Sequence, residues 1–143
     1  MTKCVTAKFG KENMTMKLAL TSLLSIFCCS AAAEWVPLSG TETDALYADP
    51  STILREGSIA KMLHLIDYKT VRTPAGATPY KSTRLQQEND CSGAKARLLY
   101  ISLYSRSMAG GEIVLSDAAL EKWEPVTPGS GRETVWKFAC GKS

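Results

Sequence analysis

The sequence is poor in the residues and motifs that carry most enzyme chemistry. Its 143 residues contain one histidine, His64, and they contain neither a Cys-x-x-Cys pair nor a Gly-x-Ser-x-Gly nucleophile motif. We therefore expect no catalytic residue, no metal site and no cofactor, and we expect that the protein is not an enzyme. His64 stands in a candidate strand, where we predict a histidine with satisfied hydrogen bonds. The alternative role is that of a ligand to a metal or haem iron.

Most of the chain also lacks net charge. Four of the 17 basic residues and one of the 14 acidic residues precede residue 34, which leaves 13 of each sign in residues 34–143. A neutral domain has no long-range attraction for polyanions. We therefore expect no nucleic-acid partner and no binding to anionic lipid.

The apolar run of residues 18–29 is too short to cross a membrane. It has 12 residues, whereas a bilayer core needs about 20. Lys17 precedes the run and three alanines, residues 31–33, follow it, which is typical of a secretory signal peptide. We predict cleavage between Ala33 and Glu34, so that residues 1–33 form an N-terminal extension with a signal peptide and residues 34–143 form the domain. A buried core helix is the alternative, and the start codon (Met1, Met14 or Met16) stays open.

Two cysteines in the run, Cys28 and Cys29, raise the alternative of a lipid anchor. A lipid-acceptor cysteine follows a small residue, but Cys28 follows Phe27 and Cys29 follows Cys28. We therefore expect contact with the membrane only if one of them is lipidated. The expected location is the periplasm, with the outer-membrane surface or the medium as alternatives.

Cys91 and Cys140 are the cysteines that remain after the predicted cleavage. Two cysteines in a small exported domain are expected to pair, because the compartment is oxidising. The bridge would close a loop of roughly 50 residues, worth about 4 kcal/mol in the chain-entropy model. Two free thiols or a metal pair are the alternatives.

Six candidate strands are separated by short turns, which predicts an antiparallel meander. They cover residues 34–38, 45–49, 58–70, 80–90, 94–105 and 112–116. Pro50 is expected to interrupt extension, with a single helical turn from Ser51. In the fifth strand, alternation places Leu99, Ile101 and Leu103 on one face and Leu98, Tyr100 and Tyr104 on the other.

The C-terminus has helical periodicity. Ser130 and Glu133 have the spacing of a capping box, and Gly141 has the position of a C-cap. The apolar stripe between them consists of Val135, Trp136, Ala139 and Cys140. The predicted fold is therefore α+β, a six-stranded antiparallel sheet with a C-terminal helix docked on it and tied by one disulfide.

The segments "YADPSTI", "LIDYKT", "NDC", "LYSRSMAGGEIV" and "KWEPVTPGS…WKFAC" resemble, in order and spacing, the bacterial surface-adhesin protein E-like family. The resemblance covers about residues 35–140. It implies a six-stranded antiparallel sheet and a C-terminal helix joined by a cysteine pair that falls on Cys91 and Cys140. It further implies an adhesin that binds host matrix and serum proteins and forms dimers, and we expect a host matrix protein or an envelope protein as the partner. The lack of a convincing lipid-acceptor cysteine favours a soluble periplasmic role instead.

Asp67 and Lys69 share one strand face, two residues apart. We predict that they form cross-strand pairs with Arg84 or Arg97, and a charged ligand-binding spot is the alternative. Glu88, Asp90 and Glu112 offer carboxylates, but no spacing brings two of them together.

The segment "SRSMAGGE", which contains Arg106 and Met108, is predicted to be a turn without a binding role, with contact to a partner as the alternative.

Two functions of different class therefore stay open. The first is an exported module that binds another protein and forms a homodimer through the sheet, burying Leu99, Ile101 and Tyr104 or whichever face the helix leaves open. The second is a small periplasmic enzyme or envelope-stress factor.

Overall fold

The computed structural model describes residues 34–142, in which seven strands and one helix are found. The strands are β1 (Val36–Gly40), β2 (Asp44–Glu56), β3 (Ile59–Arg72), β4 (Tyr80–Asp90), β5 (Lys95–Tyr104), β6 (Ile113–Asp117) and β7 (Glu124–Pro125), and the helix is α1 (Gly131–Cys140). The predicted extension, signal peptide and cleavage after Ala33 concern residues 1–33, which lie outside the described residues.

The strands form one antiparallel sheet in the order β1-β2-β3-β4-β5-β6. The predicted six-stranded meander with a C-terminal helix is therefore confirmed. The seventh strand, β7, pairs with β5 at Lys95 and Ala96 and was not predicted. It has two residues, too few to show an alternating pattern.

The core lies between α1 and one face of the sheet, here called the helix face. Its buried members come from β2, β3 and the helix, and they are Leu46, Ala48, Ala60, Met62, Val135 and Ala139. Three of these are alanines, which bring the helix backbone close to the strands. Of the predicted stripe, Val135, Trp136 and Ala139 are buried, as the helical periodicity requires.

The expected interruption at Pro50 is wrong, because β2 continues to Glu56. Pairing with β3 shifts register between Asp49 and Leu54. The buried Asp49 carboxylate stabilises this irregular stretch by accepting hydrogen bonds from Ser51 N (3.1 Å) and Ser51 Oγ (2.6 Å). The result is an Asx turn within an extended segment instead of a helical turn.

A β-bulge in β5 changes the predicted faces. The pairing of β5 with β4 skips Leu99, and alternation shifts by one residue beyond it. Leu98 therefore shares the helix face with Ile101 and Leu103, while Tyr100 lies on the opposite face.

Helix α1 begins and ends as its capping residues predict. Ser130 Oγ accepts a hydrogen bond from Glu133 N at 3.1 Å, and Glu133 Oε2 accepts one from Gly129 N at 2.7 Å. Gly141 closes the helix in the left-handed conformation, with φ of 65°. Among the described residues, no helix is long and apolar enough to cross a membrane.

Candidate functional site

The predicted disulfide is confirmed: Cys91 and Cys140 are bonded, with their Cα atoms 5.5 Å apart. Cys91 follows the end of β4 and Cys140 is the last helical residue, so the bridge ties the C-terminal end of α1 to the sheet. Trp136 strengthens this attachment because its Nε1 donates to Asp90 O at 2.9 Å. Lys142 Nζ donates to Cys91 O at 2.7 Å and lies 4.4 Å from the centroid of the Trp136 ring.

The N-terminal end of α1 is held by ion pairs. Arg132 Nη2 lies 3.0 Å from Glu121 Oε2, and Arg132 Nη1 lies 3.0 Å from Glu124 Oε2. Glu121 Oε2 also accepts a hydrogen bond from Leu98 N at 3.3 Å. These contacts join the helix to the segment before it and to the outer edge of β5.

His64 is a buried residue of the helix face, 5% exposed. Burial, with a smaller contribution from the Arg132 guanidinium, lowers the pKa of His64 from 6.5 to about 4, so the imidazole is neutral at pH 7. The expectation of satisfied hydrogen bonds is wrong for His64 Nδ1, which is buried and has no partner. Among residues 34–142, no group of three or more His, Cys, Asp or Glu side chains is placed to hold a metal ion.

The hairpin tip at residues 105–112 folds back against the face opposite the helix. Met108 N donates to Asp67 Oδ1 at 2.9 Å, and Ala109 N donates to Ser82 Oγ at 3.0 Å. Ser82 Oγ in turn donates to Arg106 O at 2.6 Å. The side chains of Arg106 and Met108 remain exposed at this fixed tip.

Asp67 thus has a role other than the predicted pairing with Arg84 or Arg97. Arg97 forms its ion pair with Glu88, Nη2 to Oε2 at 2.7 Å. The Arg84 guanidinium lies 5.4 Å from the centroid of the Tyr104 ring. The predicted cross-strand pairs of Asp67 are therefore wrong.

Two of the acidic candidates, Glu88 and Asp90, stabilise structure. The Glu88 carboxylate lies between Lys61 Nζ (3.6 Å) and Arg97. Asp90 Oδ1 caps a turn by accepting hydrogen bonds from Ser92 and Gly93, and these bonds, led by that of the Ser92 hydroxyl, lower the pKa of Asp90. Neither carboxylate is arranged as an acid–base pair with the other.

A cavity of about 200 Å³ opens beside the N-terminal end of α1. We call it the helix-end cavity, and it is lined mainly by Leu46, His64, Ile66, Leu85, Leu98 and Arg132. The bulge at Leu99 matters here, because it turns Leu98 toward the helix face. Sequence reasoning missed the cavity, since its walls come from β2, β3, β4, β5 and α1.

Of the seven large apolar side chains that are exposed among the described residues, three lie on or after β6, an edge strand of the sheet. Ile113 is 55% exposed and Leu115 is 49% exposed. Tyr104, by contrast, is 5% exposed and is covered within the chain itself. Tyr104 is therefore unavailable for the contact between copies that the sequence predicted.

Comparison with known proteins gives one family. The family model described as "Surface-adhesin protein E" matches residues 35–141. The chain belongs to the surface-adhesin protein E family. The family is one of adhesins and not of enzymes.

Solved structures of Haemophilus influenzae protein E have the same fold as this surface-adhesin protein E domain. One is 14% identical with a TM-score of 0.56, covering 75% of this chain and 83% of that chain. Another, from a non-typeable Haemophilus influenzae, is 13% identical with a TM-score of 0.52 and covers 79% of each chain. No curated protein sequence matches the chain.

Proposed function

We propose that this protein is an exported module of the bacterial envelope that binds another protein, either a host matrix protein or an envelope protein. The observation that carries the proposal is the family match, which spans residues 35–141 and so nearly all of the described domain. The build of the domain supports it, because a disulfide-tied helix and a sheet give a rigid platform for a binding surface.

Export is part of this proposal. Residues 1–33 would act as extension and signal peptide, and cleavage after Ala33 would leave Glu34 as the first residue. The intact mass of the protein isolated from the cell envelope tests this directly. A mass that includes an acylated Cys28 or Cys29 would contradict both the cleavage position and the periplasmic location.

Binding is tested by immobilising the oxidised protein and measuring its saturable binding to purified matrix proteins and to an envelope extract. We expect one protein partner at fixed stoichiometry. Parallel assays for hydrolase and isomerase turnover are the control. Turnover without any stoichiometric partner would replace the binding module with a small periplasmic enzyme.

We also propose self-association, through the free edge of β6. An unpaired edge strand with apolar side chains readily pairs with another strand. Light scattering at tens of micromolar should therefore give a dimer, and Leu115→Lys should give a monomer. Leu54→Lys is the matched control, because Leu54 is 63% exposed on β2 and lies away from that edge. A monomeric wild-type protein would contradict the proposal.

A further inference from the structure

His64 is buried in the part of the sheet that the first turn of α1 covers. It shares the helix-end cavity with Gly131 and Arg132, the first two residues of the helix. The ring is 5% exposed, and its Nδ1 atom is buried without a hydrogen-bond partner. Protonation would place an N–H donor on both ring nitrogens, and a buried donor without an acceptor costs free energy. The closed structure therefore suits the neutral ring.

The groups around His64 offer no compensation for a positive ring. The described residues that line the helix-end cavity include no carboxylate, since β2, β4 and β5 contribute leucines and an amide: Leu46, Leu85, Gln87 and Leu98. Helix α1 contributes Arg132, which carries the same charge as a protonated ring. The carboxylates of Glu121 and Glu124 are each paired with Arg132 at 3.0 Å. A protonated His64 would therefore be both desolvated and repelled.

Of the two elements that meet here, the helix end is the one that can move. Strand β3 is paired on both sides at His64, with Ala48 of β2 and with Leu85 of β4. The first turn of α1 is attached by the partly exposed ion pairs of Arg132, and exposed pairs contribute little to stability. Gly129, just before the cap, has open space where a side chain would stand. A change of conformation at Gly129 would therefore let the first turn leave the sheet.

The C-terminal end of α1 cannot follow this movement. The Cys91–Cys140 bond fixes its last residue, and Trp136 Nε1 donates to Asp90 O at 2.9 Å. We propose that acid opens the helix at one end: when His64 is protonated, the first turn of α1 leaves the sheet while the helix turns about the Cys91–Cys140 bridge. The open form brings the imidazolium into water and exposes the apolar lining of the helix-end cavity. The inference concerns the domain alone and holds whatever partner it binds.

The direction of the pH effect follows from the two environments of the ring. In the closed form the pKa of His64 is lowered from 6.5 to about 4, chiefly by burial. A ring in water regains the ordinary pKa, so the open form binds the proton first and its share rises as the pH falls. The ratio of open to closed molecules should rise about 20-fold between pH 7 and pH 5, and about 200-fold between pH 7 and pH 3.

Labelling of a buried thiol measures this ratio. Leu46→Cys places the thiol in the helix-end cavity, at a side chain that faces Gly131, and 4,4′-dithiodipyridine labels it at neutral and acid pH without a reductant. The labelling rate is divided by that of the urea-unfolded variant at the same pH, which removes the titration of the thiol itself. We expect the relative rate to rise about 20-fold between pH 7 and pH 5.

The matched control combines Leu46→Cys with His64→Gln, because glutamine does not titrate. This protein keeps Arg132, Glu121 and Glu124, so any effect of acid on the ion pairs is common to both proteins. Its relative labelling rate should rise much less over the same pH range.

NMR of the wild-type protein separates opening at one end from unfolding, and it needs no variant. Gly131 faces the Leu46 side chain, so nuclear Overhauser contacts between Gly131 and the Leu46 methyl groups report on the N-terminal end. The Trp136 indole N–H reports on the C-terminal end. As His64 titrates, the contacts of Gly131 should weaken, while the indole signal should keep its position and its protection from exchange.

Three outcomes would overturn the inference. The first is a relative labelling rate that does not change with pH. The second is an equal rise with and without His64, because the opening would then come from other groups. The third is loss of the Trp136 indole signal together with the Gly131 contacts, since the whole helix would then detach.

Discussion

The two ends of helix α1 are attached to the sheet in different ways. Three attachments hold the C-terminal end: the covalent Cys91–Cys140 bond, a partly buried hydrogen bond from Trp136 Nε1 to Asp90 O, and an exposed one from Lys142 Nζ to Cys91 O. The disulfide and the hydrogen bond from the Trp136 indole do not depend on the salt concentration. Among the described residues at this end, no buried side-chain nitrogen or oxygen lacks a hydrogen-bond partner.

The N-terminal end of α1 has weaker attachments, and a buried imidazole nitrogen without a hydrogen bond lies in the sheet beneath it. Ser130 caps the first turn, and Arg132 pairs with two partly exposed carboxylates. Beneath this end lies the helix-end cavity, which His64 borders, and the Nδ1 atom of His64 is buried without a hydrogen-bond partner. The comparison teaches that a helix only ten residues long, about 15 Å, can be attached strongly at one end and weakly at the other. The C-terminal end therefore supplies the stronger attachment of the helix to the sheet.

The largest effect is expected when the C-terminal attachment is broken. Cys91→Ser should lower the free energy of unfolding by about 4 kcal/mol, as the chain-entropy model gives for a loop of this length. Because a ten-residue helix is marginal alone, α1 should lose its hydrogen-exchange protection before the sheet does. Reduced wild-type protein should behave in the same way. Residues 131–140 that stay as protected as the sheet would contradict this view of the helix.

The second prediction concerns acid pH at the N-terminal end. The folded pKa of His64, about 4, is below the unfolded value of 6.5, so the unfolded chain binds the proton first. This contribution to stability is complete above about pH 6.5 and is lost as the pH falls toward 4. The loss should reach about 3 kcal/mol at 1.36 kcal/mol per pKa unit.

Urea unfolding of the wild type and of His64→Gln across this pH range isolates the effect. Glutamine does not titrate, so the variant should lose less stability over the range, while the carboxylates titrate alike in both proteins. Parallel pH profiles for the two proteins would show that His64 is not buried in the neutral form.

A smaller effect is expected at the helix cap. Ser130→Ala should cost about 1 kcal/mol, because Glu133 N loses its acceptor. Ser130→Asp is the matched control and should be close to neutral, since aspartate also caps. Thermal unfolding of the three proteins measures both changes. Equal destabilisation by alanine and aspartate would show that the hydroxyl caps nothing.

The smallest effect is expected from the ion pairs. Arg132→Gln should lower the free energy of unfolding by less than about 1 kcal/mol, because both pairs are partly exposed to solvent. The difference from wild type should shrink further at about 0.5 M salt. A larger or salt-independent loss would mean that Arg132 stabilises the helix through packing instead.

Features fixed by neighbouring residues could be predicted from the sequence. The ends of α1 could be predicted from Ser130, Glu133 and Gly141, because a helix cap depends on residues three or four positions apart. The pairing of Cys91 with Cys140 followed from the count of cysteines after the predicted cleavage.

Features that depend on residues far apart in the sequence could not be predicted. Pro50 is tolerated within β2 because the pairing with β1 ends at Ala48 and the pairing with β3 skips residues 50–53, so no ladder bond needs its missing N–H. The bulge at Leu99 depends on the register with β4. Whether His64 Nδ1 finds a hydrogen-bond partner depends on five separate elements, so no local sequence pattern predicts it.

The bridge between Cys91 and Cys140 also determines what a protease would achieve. The stretch of residues 118–123 has no regular secondary structure, and Leu120 within it is 80% exposed. A cut there would leave two fragments that stay covalently joined, since one contains Cys91 and the other contains Cys140. In an oxidising medium the nicked protein would keep both fragments and its docked helix, with a mass raised only by the one water molecule of hydrolysis. Only a reductant would release the C-terminal fragment, and the whole of α1 would leave with it.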